Sequence, residues 1–236
     1  MDIKELQELV KWNIEVTDNE LDDIDKYYTK FIDDINKVES TSTLSKWNTV
    51  ENINEYGYRS DNFDGGGDGF MFLGCSLTEG YALEQEETWP WIVGKHFDIK
   101  VWNLAKGGAG DDLCFMNALT WISKLKPKAV CMLIPSPGRF KFFDYNREKL
   151  HKEFFLYGLP KKPKFPWLFN PKHLYLSALK NIMGIKLICD EYDIPFVIKS
   201  PTTFSWVDTA RDNKHPGPKW QKKVSKLFIK ELQKYF

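Results

Sequence analysis

Short apolar runs alternate with amphipathic segments over most of the chain after residue 68. Four runs are apolar at nearly every position, namely GFMFLG (69–74), IKVWNL (99–104), AVCMLI (129–134) and IPFVIK (194–199). Such runs are typical of strands that are covered on both faces. Segments with helical spacing lie between them, at about 88–97, 110–125 and 173–191. The alternation predicts a three-layer α/β/α sandwich with a mainly parallel, flavodoxin-like sheet, whose active site lies at the carboxyl ends of the strands.

The two ends of the chain are predicted to be helical. Within residues 1–48, the apolar side chains with helical spacing are Leu21, Ile24, Tyr28, Phe31, Ile32 and Ile35. We interpret this N-terminal helical extension as an arm for packing or oligomerisation, and residues 49–236 as the main domain. The segment 219–236 has apolar residues on one face and lysines largely on the other, so we expect it to close the domain as a helix.

A long insertion rich in aromatic residues and proline interrupts the main domain at 135–172. It follows the end of a predicted strand, where it is placed to form a lid or wall over a site. Its aromatic side chains suit a sugar ring or an acyl chain. The alternative is an oligomer interface or a small second core. Loops of this length are usually functional or disordered. The sequence does not decide between the lid or wall and the oligomer interface or second core.

Composition and charge narrow the class of protein. The chain has 236 residues and a mass of 27.7 kDa, which suits one domain. Its 33 basic and 33 acidic residues cancel, so nucleic acid is not an expected partner. No apolar run reaches the length of about 18 residues that a membrane span needs, and the N-terminus lacks the order of a secretory signal, so we expect a cytoplasmic protein. Four cysteines without metal-like spacing and four scattered histidines predict reduced core thiols and no metal.

The first candidate for chemistry is Ser76, which directly follows the first predicted strand. The segment Gly74-Cys75-Ser76-Leu77-Thr78-Glu79-Gly80 places this serine on the turn between a buried strand and a helix. A hydroxyl there is exposed, and nearby backbone N–H groups can point at the oxygen of a reacting carbonyl. Small residues also make such turns without catalysis, so this segment is weak evidence by itself.

The second candidate is the pair formed by Asp212 and His215, in the loop after the last predicted strand. The spacing brings a carboxylate and an imidazole together in one tight turn. The carboxylate can then accept a hydrogen bond from one ring nitrogen, which leaves the other nitrogen free to take a proton from a serine. Since both candidates follow parallel strands, we expect Ser76 and this pair to meet at the same edge of the sheet.

These segments together resemble the ordered blocks of the SGNH/GDSL serine hydrolase superfamily, in particular its bacterial and phage members. The resemblance rests on GCSLTEG (74–80), NLAKGGAG (103–110) and DNKHPGPKW (212–220), and on INEYGYRS (53–60), which resembles the Asn-x-x-Gly-Phe/Tyr-Arg segment found before the nucleophile strand. It implies a catalytic triad of Ser76, Asp212 and His215. It also implies that the backbone N–H groups of Ser76 and Gly108 form an oxyanion hole.

Two positions depart from the pattern of that superfamily. Cys75 replaces the aspartate of the name-giving motif, at a position that is not the nucleophile. The third strand runs into Pro135-Ser136-Pro137-Gly138-Arg139, where the superfamily has an asparagine whose side chain is the third oxyanion donor. Ser136 or Arg139 is the available substitute, which makes these two residues candidates for substrate binding. Loss of one oxyanion donor typically reduces turnover by about 10²- to 10³-fold. If no other donor replaces the asparagine, we expect low activity or a different substrate.

The resemblance implies an esterase that needs no cofactor and forms an acyl-enzyme on Ser76. The expected substrate is a small acyl ester, such as an O-acetylated carbohydrate. An O-acyltransferase with the same triad is the second interpretation, and the sequence does not separate the two. The third is a binding or structural protein, of phage type, that retains the fold but is catalytically weak.

Overall fold

The computed structural model describes residues 53–136, 139–144, 149–154, 171–201 and 207–236. Its centre is a four-stranded parallel sheet in the order β2-β1-β3-β6. The strands are β1 (Gly69–Leu73), β2 (Lys100–Asn103), β3 (Ala129–Leu133) and β6 (Phe196–Lys199). In register, Phe70 lies opposite Val101 of β2 and Ala129 of β3. Strand β1 is therefore central, and the loop that follows it lies between those that follow β2 and β3.

Within the ranges that the structure describes, five helices accompany the sheet, together with a short 3₁₀ helix at Gln85–Glu87. The helices are α1 (Ser76–Glu79), α2 (Trp89–Phe97), α3 (Asp111–Leu125), α4 (Pro171–Glu191) and α5 (Pro218–Leu232). A separate antiparallel pair, β4 (Phe140–Asp144) and β5 (Lys149–Phe154), lies within the predicted insertion. The insertion thus contains regular structure, while the proposed lid falls largely on residues outside the described ranges.

Two hydrophobic cores lie on the two faces of the sheet. Alternate residues of β1 belong to different cores, because neighbouring side chains of a strand point to opposite faces. Met71 and Leu73 pack with residues of α3 and α4, whereas Phe70 and Phe72 pack with residues of α2 and α5. This double coverage explains why the strand reads as a continuous apolar run, and it confirms the predicted three-layer α/β/α sandwich.

The predicted elements agree with the structure apart from their ends. The fourth strand begins at Phe196 instead of residue 194, because the N–H of Ile194 donates to the carbonyl of Cys189 at 2.9 Å and so belongs to the turn after α4, in which Asp193 has φ of 54°. The C-terminal helix ends at Leu232. All four cysteines are buried and free, as predicted. The N-terminal extension lies outside the described residues, and no described helix is long and apolar enough to cross a membrane.

Candidate active site

The candidate nucleophile lies on a tight turn at the carboxyl end of β1. Helix α1 begins at Ser76, three residues after the strand ends. A Cβ atom on Gly74 would lie 2.1 Å from Oγ1 of Thr78, so only glycine fits this close approach of strand end and helix. Ser76 itself is 8% exposed, and its hydroxyl lies within hydrogen-bond distance of the ring of His215.

The candidate acid and base lie on a small hairpin between β6 and α5. Thr209 pairs with Pro216, and the N–H of Ala210 donates to the carbonyl of His215 at 2.7 Å. The carboxylate of Asp208 accepts hydrogen bonds from the N–H groups of Lys219 and Trp220, at 2.8 and 3.0 Å, which satisfies backbone donors at the start of α5. The hairpin is thus fixed at its base to the helix that follows it.

The structure brings Ser76, His215 and Asp212 into one hydrogen-bonded chain. Nε2 of His215 lies 3.0 Å from Oγ of Ser76, and Nδ1 lies 2.5 Å from Oδ2 of Asp212. The side chain of Asp212 is only 1% exposed, whereas that of His215 is 27% exposed. These distances meet the geometric requirement for a nucleophile, a base and a residue that orients the base.

Backbone hydrogen bonds keep Asp212 ionised. Burial raises the pKa of this carboxyl, but the N–H and ring of His215 and the N–H of Lys214 donate to it and lower the pKa below its ordinary value. Oδ1 accepts the two backbone N–H groups at 3.0 and 3.1 Å, which leaves Oδ2 for the imidazole. An ionised Asp212 favours the tautomer of His215 that has its proton on Nδ1 and a free lone pair on Nε2.

The glycine loop after β2 lies beside Ser76. A Cβ atom on Gly107 would lie 3.9 Å from Cβ of Ser76. The next residue, Gly108, is buried and has φ of 82°, a conformation that favours glycine. Asn103 supports the start of the loop, since its side chain donates to the carbonyl of Thr78 at 3.0 Å and accepts from the N–H of Ala105 at 3.2 Å. The predicted oxyanion residue Gly108 is therefore adjacent to the nucleophile turn.

The segment after β3 packs against the glycine loop but contains no asparagine. Ser136 and Arg139 are both half-buried. A Cβ atom on Gly110 would lie 2.0 Å from the carbonyl oxygen of Arg139, so the two backbones are in direct contact. Both predicted substrate-binding residues thus lie near the site edge of the sheet, and their contact with substrate stays a prediction.

Three further residues of the site were not singled out from the sequence. The ring of Tyr81 lies 4.9 Å from the ring of His215. The guanidinium of Arg59, which is 3% exposed, donates to the carbonyls of Gly80 and Leu83 at 2.9 and 2.7 Å. Glu79 accepts a hydrogen bond from the N–H of Gly107 at 2.7 Å. Arg59 belongs to the segment 53–60, whose resemblance to a superfamily block implies no role for this residue.

The structure explains what the segment 53–60 does. The side-chain oxygen of Asn54 accepts the N–H groups of Tyr56 and Tyr58, at 3.1 and 3.0 Å, and so closes a turn. The carbonyl of Gly57 in that turn accepts a hydrogen bond from Nζ of Lys106, which also lies 5.3 Å above the ring of Tyr58. The segment therefore supports the glycine loop through Lys106 and the nucleophile turn through Arg59.

Comparison with known proteins finds several solved structures that are similar to this chain. No family model matches the sequence, and no curated protein matches it significantly. The chain is similar to a psychrotrophic esterase from Pseudoalteromonas sp., with 14% identity over 72% of this chain and 98% of that chain and a TM-score of 0.38. It is also similar to a GDSL-like lipase from Bacteroides thetaiotaomicron, with 14% identity over 89% and 98% of the two chains and a TM-score of 0.36.

A third similar structure is an acetyl xylan esterase from Butyrivibrio proteoclasticus, with 11% identity over 74% of this chain and 66% of that chain and a TM-score of 0.42. The chemistry of the candidate site rests on the side chains that meet there, Ser76, His215 and Asp212.

Proposed function

We propose that this protein is a serine hydrolase that cleaves an ester through Ser76, His215 and Asp212. The observation that carries the proposal is the continuous chain of contacts from Oγ of Ser76 through His215 to Oδ2 of Asp212, with distances of 3.0 and 2.5 Å. Three side chains from two distant segments meet in this arrangement at the sheet edge where parallel α/β folds bind ligands.

The proposed reaction uses each of these three side chains. Nε2 of His215 accepts the proton of Ser76 as Oγ attacks the ester carbonyl, and Asp212 stabilises the resulting imidazolium. The tetrahedral intermediate then expels the alcohol, which takes the proton from His215, and an acyl group remains on Ser76. A water molecule activated by His215 hydrolyses this acyl-enzyme and restores the serine. The N–H groups of Ser76 and Gly108 are proposed to stabilise the oxyanion in both steps.

The proposed substrate is a small acyl ester of a carbohydrate, such as an O-acetyl group. The alcohol must leave next to His215, since this residue protonates it. Tyr81 is half-buried, and its ring lies 4.9 Å from that of His215, so an aromatic side chain lies beside the residue that protonates the alcohol. Aromatic rings suit the flat apolar faces of sugars, which supports a carbohydrate alcohol.

A catalytically weak binding protein is the competing function, and one feature favours it. The described residues after β3, 134–136 and 139, include no asparagine to serve as a third oxyanion donor. With two backbone donors in place of three donors, turnover is expected to be about 10²- to 10³-fold lower than with a complete oxyanion hole. The triad contacts do not involve this donor, so the two functions differ in how much turnover depends on Ser76.

A labelling experiment tests the proposal. The wild-type protein, Ser76→Ala and a matched control with the exposed serine Ser123→Ala are treated with a fluorophosphonate probe and assayed with p-nitrophenyl acetate. We expect labelling of the wild type and the control but not of Ser76→Ala, with a fall in kcat of about 10⁴-fold or more in Ser76→Ala. Equal labelling and turnover in all three proteins would overturn the proposal.

A further inference from the structure

Glu79 lies three residues after the proposed nucleophile, at the end of α1, and contacts the glycine loop. Its Oε2 atom accepts a hydrogen bond from the backbone N–H of Gly107 at 2.7 Å. A Cβ atom on Gly107 would lie 3.0 Å from that same oxygen and 3.9 Å from Cβ of Ser76. The contact therefore joins the loop after β2 to the nucleophile helix beside the reacting atoms, and the triad mechanism does not use it.

The carboxylate of Glu79 is surrounded by donors and cations that oppose the effect of its burial. Burial raises the pKa of Glu79 above its ordinary value, although Lys106, the Gly107 N–H, Arg59 and His215 oppose the shift. These groups come from the glycine loop, the segment before β1 and the hairpin after β6, so the carboxylate faces donors or cations from three elements. A negative charge close to a developing oxyanion opposes catalysis, which leaves the hydrogen bond as the favourable contribution of Glu79.

The hydrogen bond to Glu79 also limits which backbone N–H groups of the glycine loop can donate to an oxyanion. The N–H of Gly107 is occupied by Glu79, and that of Ala109 donates to the carbonyl of Lys106 at 2.9 Å. Gly108 lies between them with φ of 82°. These two hydrogen bonds hold the 106–107 and 108–109 peptide planes, which flank the 107–108 plane that carries the N–H of Gly108. Holding both flanking planes limits the direction in which the N–H of Gly108 points.

We propose that Glu79 is a positioning residue that anchors the glycine loop to the nucleophile helix and so aims the N–H of Gly108 at the oxyanion; this inference rests on the proposed hydrolase function. Its contribution is that of a hydrogen-bond acceptor. A glutamine, whose amide oxygen also accepts from Gly107, should therefore replace it, whereas an alanine should not.

The test compares Glu79→Ala and Glu79→Gln with the exposed neighbour Glu86→Gln as a matched control. In Glu79→Ala we expect kcat for p-nitrophenyl acetate to fall by about 10- to 100-fold with KM changed less than threefold, because one oxyanion donor is misaligned. In Glu79→Gln and Glu86→Gln we expect kcat within about fivefold of the wild type. A residue that only stabilises the fold is not expected to lower kcat without changing KM, nor to be replaced by glutamine with kcat retained.

Amide hydrogen exchange gives a second readout that does not depend on turnover. We expect the N–H of Gly107, which donates to Glu79, to exchange at least about tenfold faster in Glu79→Ala than in the wild type, with protection retained in Glu79→Gln. Unchanged exchange in Glu79→Ala, or equal damage in Glu79→Gln, overturns the inference. Failure of the proposed function is distinct, because it appears as turnover in the wild type that does not depend on Ser76.

Discussion

The two halves of the candidate site are held in place by different forces. The nucleophile half, at the ends of β1 and β2, is supported from within the protein by Arg59, which is 3% exposed, and by Asn103, which is 2% exposed. The base half is a hairpin whose outer contact is an exposed ion pair between Arg211 and Glu87, with an N–O distance of 2.8 Å. Buried polar groups that lose a partner are costly, whereas exposed ion pairs contribute little to stability.

Because of this difference, substitutions in the two halves are expected to affect activity and stability differently. Substitutions of Asp212 or His215 in the base half are expected to abolish turnover while the fold persists, because the hairpin makes its outer contact through an exposed ion pair. Substitutions in the nucleophile half are expected to reduce the free energy of unfolding and activity together. The contrast can be tested by measuring kcat and unfolding side by side for variants from each half.

The largest effect is expected from Asp212→Asn in the base half. The amide oxygen can still accept the backbone N–H groups, but the amide NH₂ then faces Nδ1 of His215. This arrangement stabilises the tautomer with its proton on Nε2, which cannot accept a proton from Ser76, so kcat should fall by about 10⁴-fold. We expect the melting temperature of Asp212→Asn to stay within a few degrees of the wild-type value. The same is expected of the exposed control Asp190→Asn. Activity close to that of the wild type would show that Asp212 does not orient the base.

The next effect is expected from Arg59→Met in the nucleophile half. Methionine fills much of the volume of the arginine stem but cannot donate to the carbonyls of Gly80 and Leu83. The carbonyl of Gly80 keeps the N–H of Leu83 at 3.2 Å. The free energy of unfolding should fall by about 2–4 kcal/mol, with a loss of kcat as the turn after α1 loosens. Urea unfolding and ester hydrolysis measure both quantities. A variant that loses activity while retaining full stability would remove the contrast between the halves.

A pH-dependent effect is expected at Asp111, the first residue of α3 after the glycine loop. Burial raises its pKa to about 6, although Asn181 donates to its carboxylate at 2.7 Å and opposes the shift. Because the folded-state pKa lies above that of the unfolded chain, ionisation destabilises the fold: this group stabilises the protein most below about pH 4, and that contribution is lost by about pH 6.

The Asp111→Asn variant should remove this pH dependence. Relative to the wild type, we expect its free energy of unfolding to rise by about 2–3 kcal/mol between pH 4 and pH 7.5. Urea unfolding at the two pH values measures the change, with the half-exposed neighbour Asp112→Asn as the control. A constant difference between variant and wild type at both pH values would contradict the assignment.

The smallest effect is expected from Arg211→Gln in the base half. This change removes the exposed pairs with Glu87 at 2.8 Å and Glu84 at 3.4 Å. The free energy of unfolding should fall by less than about 1 kcal/mol, and high salt should have a comparable effect on the wild type. Thermal melts at low and high ionic strength check this. A loss as large as that of Arg59→Met would mean that the outer face of the hairpin is essential to the fold.

The layout of the site was predictable because it depends on local patterns. Continuous apolar runs follow from strands buried on both faces, and they located the strand ends at which Ser76, Gly108, Asp212 and His215 lie. By contrast, Glu79 and Arg59 act through partners 28 and 21–24 residues away in the chain. Nothing in the pattern around either residue identifies those partners.

The sequence by itself determined the parallel α/β architecture, the order of its elements and the residue types able to perform serine chemistry, because apolar periodicity and turn residues are local properties of the chain. Tertiary structure alone decided that His215 reaches Ser76 at 3.0 Å across 139 positions, and that a carboxylate on the nucleophile helix holds Gly107. Those contacts depend on how the loops after different strands converge at one edge of the sheet, which is a consequence of packing and not of neighbouring residues.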